Sequence, residues 1–386
     1  MKKLDIYGIS NKYLDWVKNF LQDRSQVVFL NGVYSYSAPV KSGVPQGSVL
    51  APLFFITVTN DLPQNISNQN SHILTFADDT KVASKVSSVN DVKLLQNSIN
   101  SIIQWSTSNN MKLNSSKFEL ISHKLFPDNN NLTLLKELPF FNNFSNYNVS
   151  QDQIVSPSEY VRDLGIFIDS KLSWKVHYDC ITKKAKQMSG WVLNTFHCRD
   201  SYPMMVLFKS LIRSSLEYCC EVWSPHLIKD ICFIEQIQRH FTSRITGIRD
   251  LNYWERLKVL NLKSLQRRRE VIIITHIWKI KYKIYPNSFN LKFEVFRRTG
   301  AEKAILLPLP KVGSRLQTLH EESFLIKSCK LWNVLPAHLT QIASLSSFKY
   351  QLNKFISSLP DKPPIPGYPY INNNSLTEQH LFQIVP

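Results

Sequence analysis

A chain of 386 residues, 43% hydrophobic and 12% aromatic, can bury sizeable cores; its length suggests two or three domains rather than one, and its composition shows no sign of wholesale disorder. Its formal net charge of +17 points to a polyanionic partner, nucleic acid first. No apolar run reaches the roughly 18 residues of a spanning helix, so membrane insertion is not expected.

From the start of the chain, residues 4–24 carry Leu4, Tyr7, Leu14, Val17 and Leu21 on one face and read as a helix stopped at Gln22-Asp23-Arg24. Two strands, Gln26 to Leu30 and Tyr34 to Val40, are joined by Asn31-Gly32, a strong hairpin signal. The loop Ser42-Gly43-Val44-Pro45-Gln46-Gly47 then feeds an apolar helix from about Ser48 to Asn60. A second hairpin is centred on Asp78-Asp79, with Ile73, Leu74 and Phe76 before it and Val82 and Ala83 after it. Residues 90–110 are helical by spacing, and 127–150, rich in Asn and Pro, read as an irregular insertion. A strand-like segment covers Tyr160 to Ile168.

After about residue 175 the pattern turns helical. Val176 to His197, Tyr202 to Cys220, Lys229 to Ile245, Leu265 to Tyr282, Glu322 to Asn333 and Ser344 to Leu359 all carry helical periodicity, and 285–320 is mixed. The stretch from Pro360 reads as a flexible tail. Charge is uneven. Residues 1–125 hold 12 Lys/Arg and 8 Asp/Glu, whereas 241–284 hold 11 Lys/Arg and 3 Asp/Glu. Arg244, Arg249, Arg256, Lys263 and the run Arg267, Arg268, Arg269 are therefore candidates for a surface that tracks a phosphate backbone. A run of charge is more commonly a solvated helix face. Six cysteines include no CxxC pair. Cys198, Cys219, Cys220, His226 and Cys232 fit no zinc template, so reduced, mostly buried thiols are expected.

Two adjacent carboxylates between apolar strands repel one another, and a divalent cation relieves that. Magnesium takes one or two carboxylates, leaving its other positions to water and substrate phosphates. An isolated Asp-Asp pair is more often a solvated turn. About thirty residues upstream, Gly43 and Gly47 allow close backbone approach to a polymer, and the loop opens a helix N-terminus that favours phosphate.

Taken in that order, Ser42-Gly43-Val44-Pro45-Gln46-Gly47-Ser48 and Phe76-Ala77-Asp78-Asp79 resemble the paired motifs of non-LTR retrotransposon reverse transcriptases, the jockey-like or LINE-type elements. The resemblance continues through Asn60-Asp61-Leu62-Pro63, Trp105-Ser106, Asn110-Met111-Lys112-Leu113-Asn114, and Leu164-Gly165-Ile166-Phe167-Ile168-Asp169 with Leu172-Ser173-Trp174. It extends to Val222-Trp223-Ser224-Pro225 and Leu331-Trp332-Asn333-Val334-Leu335-Pro336, covering most of residues 1–360.

What the resemblance implies is an α+β fold: a partial right-hand polymerase palm over 1–170, a basic helical thumb over 171–285, a helical C-terminal region over 286–360 and a tail over 361–386. It implies an RNA-directed DNA polymerase using Mg2+ or Mn2+, an RNA template, a DNA primer and deoxynucleoside triphosphates. Asp78 and Asp79 hold metal, and Gly43, Pro45, Gln46 and Gly47 meet nucleotide and template. Leu164 and Gly165 position the primer, and Lys117 is a candidate to assist pyrophosphate departure. The family's first catalytic Asp lies on a strand upstream of the residue 4–24 helix. Asp5, Asp15, Asp23 and Asp61 are poor substitutes, so the chain reads as N-terminally truncated and inactive alone. A non-catalytic nucleic-acid-binding remnant is the alternative. An intracellular site in nucleus or cytoplasm is expected, with no secretion and no obligate protein partner inferable.

Overall fold

The computed structural model describes residues 1–62, 71–123, 147–150, 153–288, 290–296, 300, 302–305, 321–367 and 374–379. Within these residues every sheet is a two-stranded antiparallel pair. Contacts divide the chain into two units, Met1–Ser122 with Pro127–Ser158, and His123–Phe126 with Glu159–Pro386.

The first unit begins with α1 (Lys2–Ile6) and α2 (Asn11–Leu21). The expected single helix is broken because Gly8 adopts φ +81° and Ser10 becomes the N-cap of a new helix. Asn31-Gly32 makes the turn predicted for it, both residues with positive φ, between β2 (Phe29–Leu30) and β3 (Val33–Tyr34). Flanking them, β1 (Ser25–Gln26) pairs with β4 (Ala38–Pro39). Helix α3 (Ala51–Thr59) starts three residues later than its apolar pattern suggested. It buries Ala51 and Phe54, the latter 6.4 Å from the Phe20 ring.

Strands β5 (Ser71–Phe76) and β6 (Asp79–Ser84) lie on α4 (Val89–Ser108), whose N-cap Ser88 accepts from Asp91 N. Period-2 alternation turns the paired Ile73 and Val82 toward Leu62, Ile102 and Trp105. It leaves Leu74 and Phe76 exposed at 60% and 63%. Part of the expected irregular insertion is a hairpin, β7 (Tyr147–Ser150) with β8 (Gln153–Val155); Gln96 exchanges two hydrogen bonds with the Asn148 backbone. The rest of that insertion, 127–146, lies outside the described residues.

The second unit opens with β9 (Tyr160–Asp163) and β10 (Ile166–Asp169), a hairpin where one strand was expected. Leu164 and Gly165 both take positive φ and turn the chain there. Helix α5 (Lys175–Thr195) follows. The next segment begins as α6 (Ser201–Leu207), widens to a π turn over Phe208–Ile212, and tightens to a 3-10 turn over Arg213–Leu216. Then come α7 (Cys220–Trp223), α8 (Ile228–Thr242), α9 (Tyr253–Val259) and α10 (Leu265–Lys281). A hairpin of β11 (Lys292–Val295) and β12 (Glu302–Ile305) precedes α11 (Phe324–Asn333), α12 (Ala337–Thr340), α13 (Leu345–Ser357) and α14 (Leu376–Gln379).

Two cores fill this unit. One joins α5, the π turn, α7, α8 and α9 through Val192, Phe208, Trp223, Ile234, Phe241 and Leu257. The other joins α10, α11 and α13 through Ile277, Trp278, Trp332 and Phe348. The stretch after Pro360 corrects its reading as a flexible tail at residues 361–367 and 374–376. Asp361 accepts from Ser264 N and Oγ, both at 2.7 Å, and from Asn374 Nδ2 at 2.7 Å. Ile365, Asn374 and Leu376 are buried. Its Pro and Asn residues satisfy the start of α10 instead of dissolving in solvent.

Candidate functional site

The Asp78-Asp79 site is built on a hairpin whose one face is pinned and whose tip is open. Phe76 pairs with Asp79, so the turn falls on Ala77-Asp78, one residue earlier than the predicted centre. Ala77 holds φ +51°, a left-handed conformation that costs an L-residue on the order of 1–2 kcal/mol. Such local strain is characteristic of functional tips held by a rigid support. The support here is the Ile73–Val82 pair against α4, and both aspartates are exposed at the tip.

Asp61 is committed elsewhere. It takes Lys3 Nζ at 2.8 Å and Trp105 Nε1 at 3.0 Å, and Lys3 also sits 5.1 Å above the Trp105 ring. Among the described residues no group of three or more His, Cys, Asp or Glu could share a metal ion. The donor chemistry at the tip is therefore two hard carboxylates, which suits magnesium with water and phosphate oxygens completing its shell.

The Pro-Gln-Gly loop lies in the same unit. Gly43 and Gly47 take φ +81° and +85°, and a Cβ on either would meet nothing within 4 Å. Their glycine character thus answers to backbone conformation rather than to crowding. Arg24 Nη2 donates to Gly43 O at 2.6 Å, and Ser48 N to Pro45 O at 3.1 Å, which fix the loop; Gln46 is exposed. The Arg24 bond escaped sequence reasoning, since nothing local ties an arginine to a carbonyl 19 residues on. Lys117 is exposed on a 3-10 turn, Ser115–Lys117.

In the second unit the Leu164-Gly165 turn is held by Tyr218. Its hydroxyl donates to Leu164 O at 3.0 Å, and its ring lies 3.6 Å from where a Gly165 Cβ would stand. Below the hairpin, Asp169 accepts from the backbone N–H groups of Lys171, Ser173 and Trp174. His177 Nδ1 accepts from Phe167 N at 3.3 Å, and burial pushes this imidazole down to about 4.

The expected phosphate-tracking surface needs correction. Arg256, Arg267 and Arg269 are buried. Arg256 donates to Leu251 O and Arg239 O, and Arg267 donates to Pro360 O at 3.2 Å and Asn374 O at 2.9 Å. Arg269 lies 6.0 Å over the Trp223 ring. Arg268 forks onto Glu217, and Lys263 donates to Asn353 Oδ1 at 3.0 Å. Only Arg244 and Arg249 of the predicted set are exposed. The physical reason is geometric. Three consecutive helical residues fan over about 200° of arc, and α10 is packed between α7, α8, α11 and α13.

The thiols correct their expectation as well. All six cysteines are free, but only Cys220 and Cys329 are buried; Cys180, Cys219 and Cys232 are half-buried and Cys198 is exposed.

Comparison with known proteins gives this geometry its family. Residues 1–189 match the reverse transcriptase (RNA-dependent DNA polymerase) family. The relatives sharpen this. The RNA-directed DNA polymerase from mobile element jockey of Drosophila melanogaster is 24% identical over 318 residues, 79% of this chain and 32% of that protein. The probable RNA-directed DNA polymerase from transposon X-element, from the same fly, is 24% identical over 241 residues, 61% of this chain and 25% of that one. That from transposon BS is 28% identical over 191 residues, 47% and 20% respectively. These matches support a jockey-like reverse transcriptase of the non-LTR retrotransposon kind, and the matched domain implies a polymerase palm fold over residues 1–189. It spans about a quarter to a third of the length of the X-element and jockey relatives. No helix among the described residues is long and apolar enough to cross a membrane.

Proposed function

We propose that this chain is part of an RNA-directed DNA polymerase that extends a DNA primer along an RNA template from deoxynucleoside triphosphates. The observation that carries the proposal is the Ala77-Asp78 turn, which presents Asp78 and Asp79 on a hairpin buttressed by Ile73 and Val82. These carboxylates would hold Mg2+ or Mn2+, which when bound would supply charge neutralisation at the phosphoryl group. Gly43, Pro45, Gln46 and Gly47 lie against nucleotide and template, Lys117 meets the departing pyrophosphate, and Leu164 and Gly165 hold the primer end. Residues 171–285 act as thumb, and exposed Arg244 and Arg249 meet the phosphate backbone.

Two-metal chemistry takes a third carboxylate, and the described residues bring none to the pair. On this reading the 386 residues alone are expected to make no DNA. The test is magnesium-dependent incorporation of a labelled nucleotide on an RNA template with a DNA primer. Incorporation that Asp78→Ala abolishes would overturn the inactivity and strengthen the polymerase assignment. Magnesium binding by calorimetry, lost in Asp78→Ala with Asp79→Ala, supports the metal mount; binding unchanged in that double variant refutes it. A second reading, a module that only binds nucleic acid, is favoured by the net charge of +17. It predicts salt-sensitive binding indifferent to both aspartates.

A further inference from the structure

The second unit holds a concavity that the polymerase assignment does not use. Arg239, Asn252, Tyr253, Trp254, Arg256 and Ile365 line it. Its volume of about 200 Å³ is below the roughly 300–1,000 Å³ of sites for drug-sized molecules, and suits a phosphate with the edge of a ring.

Two guanidinium groups share this space. Arg256 is nine-tenths buried, with both terminal nitrogens donating to carbonyls and its Nε without an acceptor among the described residues. Burial first, then the charge of Arg239, depresses its pKa, although Tyr253 opposes this. Arg239 is half-buried on the last turn of α8. Neither arginine has a carboxylate partner among the described residues. The nearest acid in sequence is engaged: Glu255 accepts from Asn252 N in the capping box that closes the first turn of α9. The site thus owes nothing to open helix N–H groups.

Two like charges, one of them fixed and desolvated, are costly to hold together unless an anion joins them. Positive charge continues beyond the rim. Arg244 lies 3.5 Å from His240, and both Arg244 and Lys186 act on that imidazole, which burial holds below its ordinary pKa. Trp254 and Ile365 give the concavity an apolar wall, with Trp254 fixed by its Nε1 bond to Pro363 O at 3.0 Å.

We propose that this concavity is a phosphate seat: Arg239 and Arg256 hold one phosphate of a nucleotide, with its sugar or base against Trp254 and Ile365. A strand seated there runs on over His240, Arg244 and Lys186. The inference rests on the proposed function for the class of partner alone, not for the catalytic site.

The test is fluorescence anisotropy of the whole 386-residue chain with a labelled single strand of about twelve nucleotides, a length in the range such modules cover. Arg239→Gln is expected to weaken binding about fivefold or more and to reduce the salt slope by about 0.7, the share of one phosphate on a single strand. The control Lys349→Gln, at an exposed position on α13, should bind as the wild type does. Arg239→Lys should recover part of the affinity, and covers the case in which Arg239→Gln melts early. A nucleoside monophosphate that displaces the strand at low millimolar concentration assigns the seat to free nucleotide. Failure to displace it assigns the seat to a strand. Arg239→Gln binding like the control overturns the seat while leaving the proposed function standing. Absence of any wild-type binding overturns the seat and the nucleic-acid partner together, whereas loss of the Asp78 magnesium result alone leaves the seat intact.

Discussion

Among the described residues, the two units of this molecule bury apolar side chains to different extents. The second is organised around two cores in which Trp223, Trp278 and Trp332 are all nearly inaccessible. Among the described residues the first has one small cluster, Leu62, Ile102 and Trp105 with partly buried neighbours, and it exposes Val28, Phe29, Leu30, Val33 and Tyr34 on one hairpin. The candidate metal mount therefore sits on the thinner scaffold, and the thicker one carries the exposed Arg244 and Arg249. Exposed apolar strands with open edges are seats for further chain, and they associate wrongly when left bare.

Breaking the thick side should give the largest effect. Trp332→Ala deletes a fully buried ring and the bond from its Nε1 to Glu302 O. It is expected to cost ~3–5 kcal/mol in chemical denaturation of the second unit. A loss below ~1 kcal/mol would show that this core is not what holds the unit.

Next comes a pH effect. Glu235 is buried, accepts from Tyr253 Oη at 2.5 Å and from Leu265 N, and burial raises it from 4.5 to about 7. A carboxyl whose folded pKa is raised binds its proton more tightly when folded. Its contribution is thus full below about 4.5 and is lost as pH climbs toward and through about 7. His177, depressed from 6.5 to about 4, has the opposite slope: its contribution is present above 6.5 and is lost as pH falls toward 4. Glu235→Gln should therefore melt closer to wild type at pH 5 and gain relative to it by pH 8, by up to ~3 kcal/mol. A wild-type-minus-variant difference flat across that range contradicts the raised carboxyl.

Smaller again is Asp361→Ala, which strips three acceptor contacts from Ser264 and Asn374 and is expected to cost ~2 kcal/mol. Hydrogen exchange at the start of α10 should rise with it. The smallest effect belongs to the thin side. Leu74→Thr, at a position 60% exposed, should change stability by less than ~0.5 kcal/mol while raising the concentration at which the protein stays monodisperse. A large destabilisation would mean that Leu74 packs on something in solution.

Features set by local chemistry were legible in the sequence. Asn31-Gly32 turned where its backbone preferences demand, and Leu345–Ser357 followed its apolar spacing almost to the residue. The Asp78-Asp79 hairpin was placed to within one residue because its strands alternate. What was not legible depends on distant partners. Nothing near Arg267 announces that carbonyls at Pro360 and Asn374 will enclose it, and nothing near Arg268 announces Glu217. Composition made the stretch after Pro360 look solvated because Asn and Asp are polar, yet here they act as caps for a helix start about a hundred residues earlier. The break at Leu164 was hidden for a further reason, since a leucine with φ +44° is a choice no propensity favours.

That late stretch also sets a schedule for biosynthesis. Ser264 and Arg267 reach these acceptors only when Asp361 and Asn374 have left the ribosome, so the nascent chain carries Arg267 without its Pro360 and Asn374 carbonyls through roughly a hundred residues of translation. At about 5–20 residues per second this interval lasts roughly 5 to 20 seconds. The helical unit should then settle in one late step rather than piece by piece, and a stop codon placed just before Pro360 would release a product that chaperones retain.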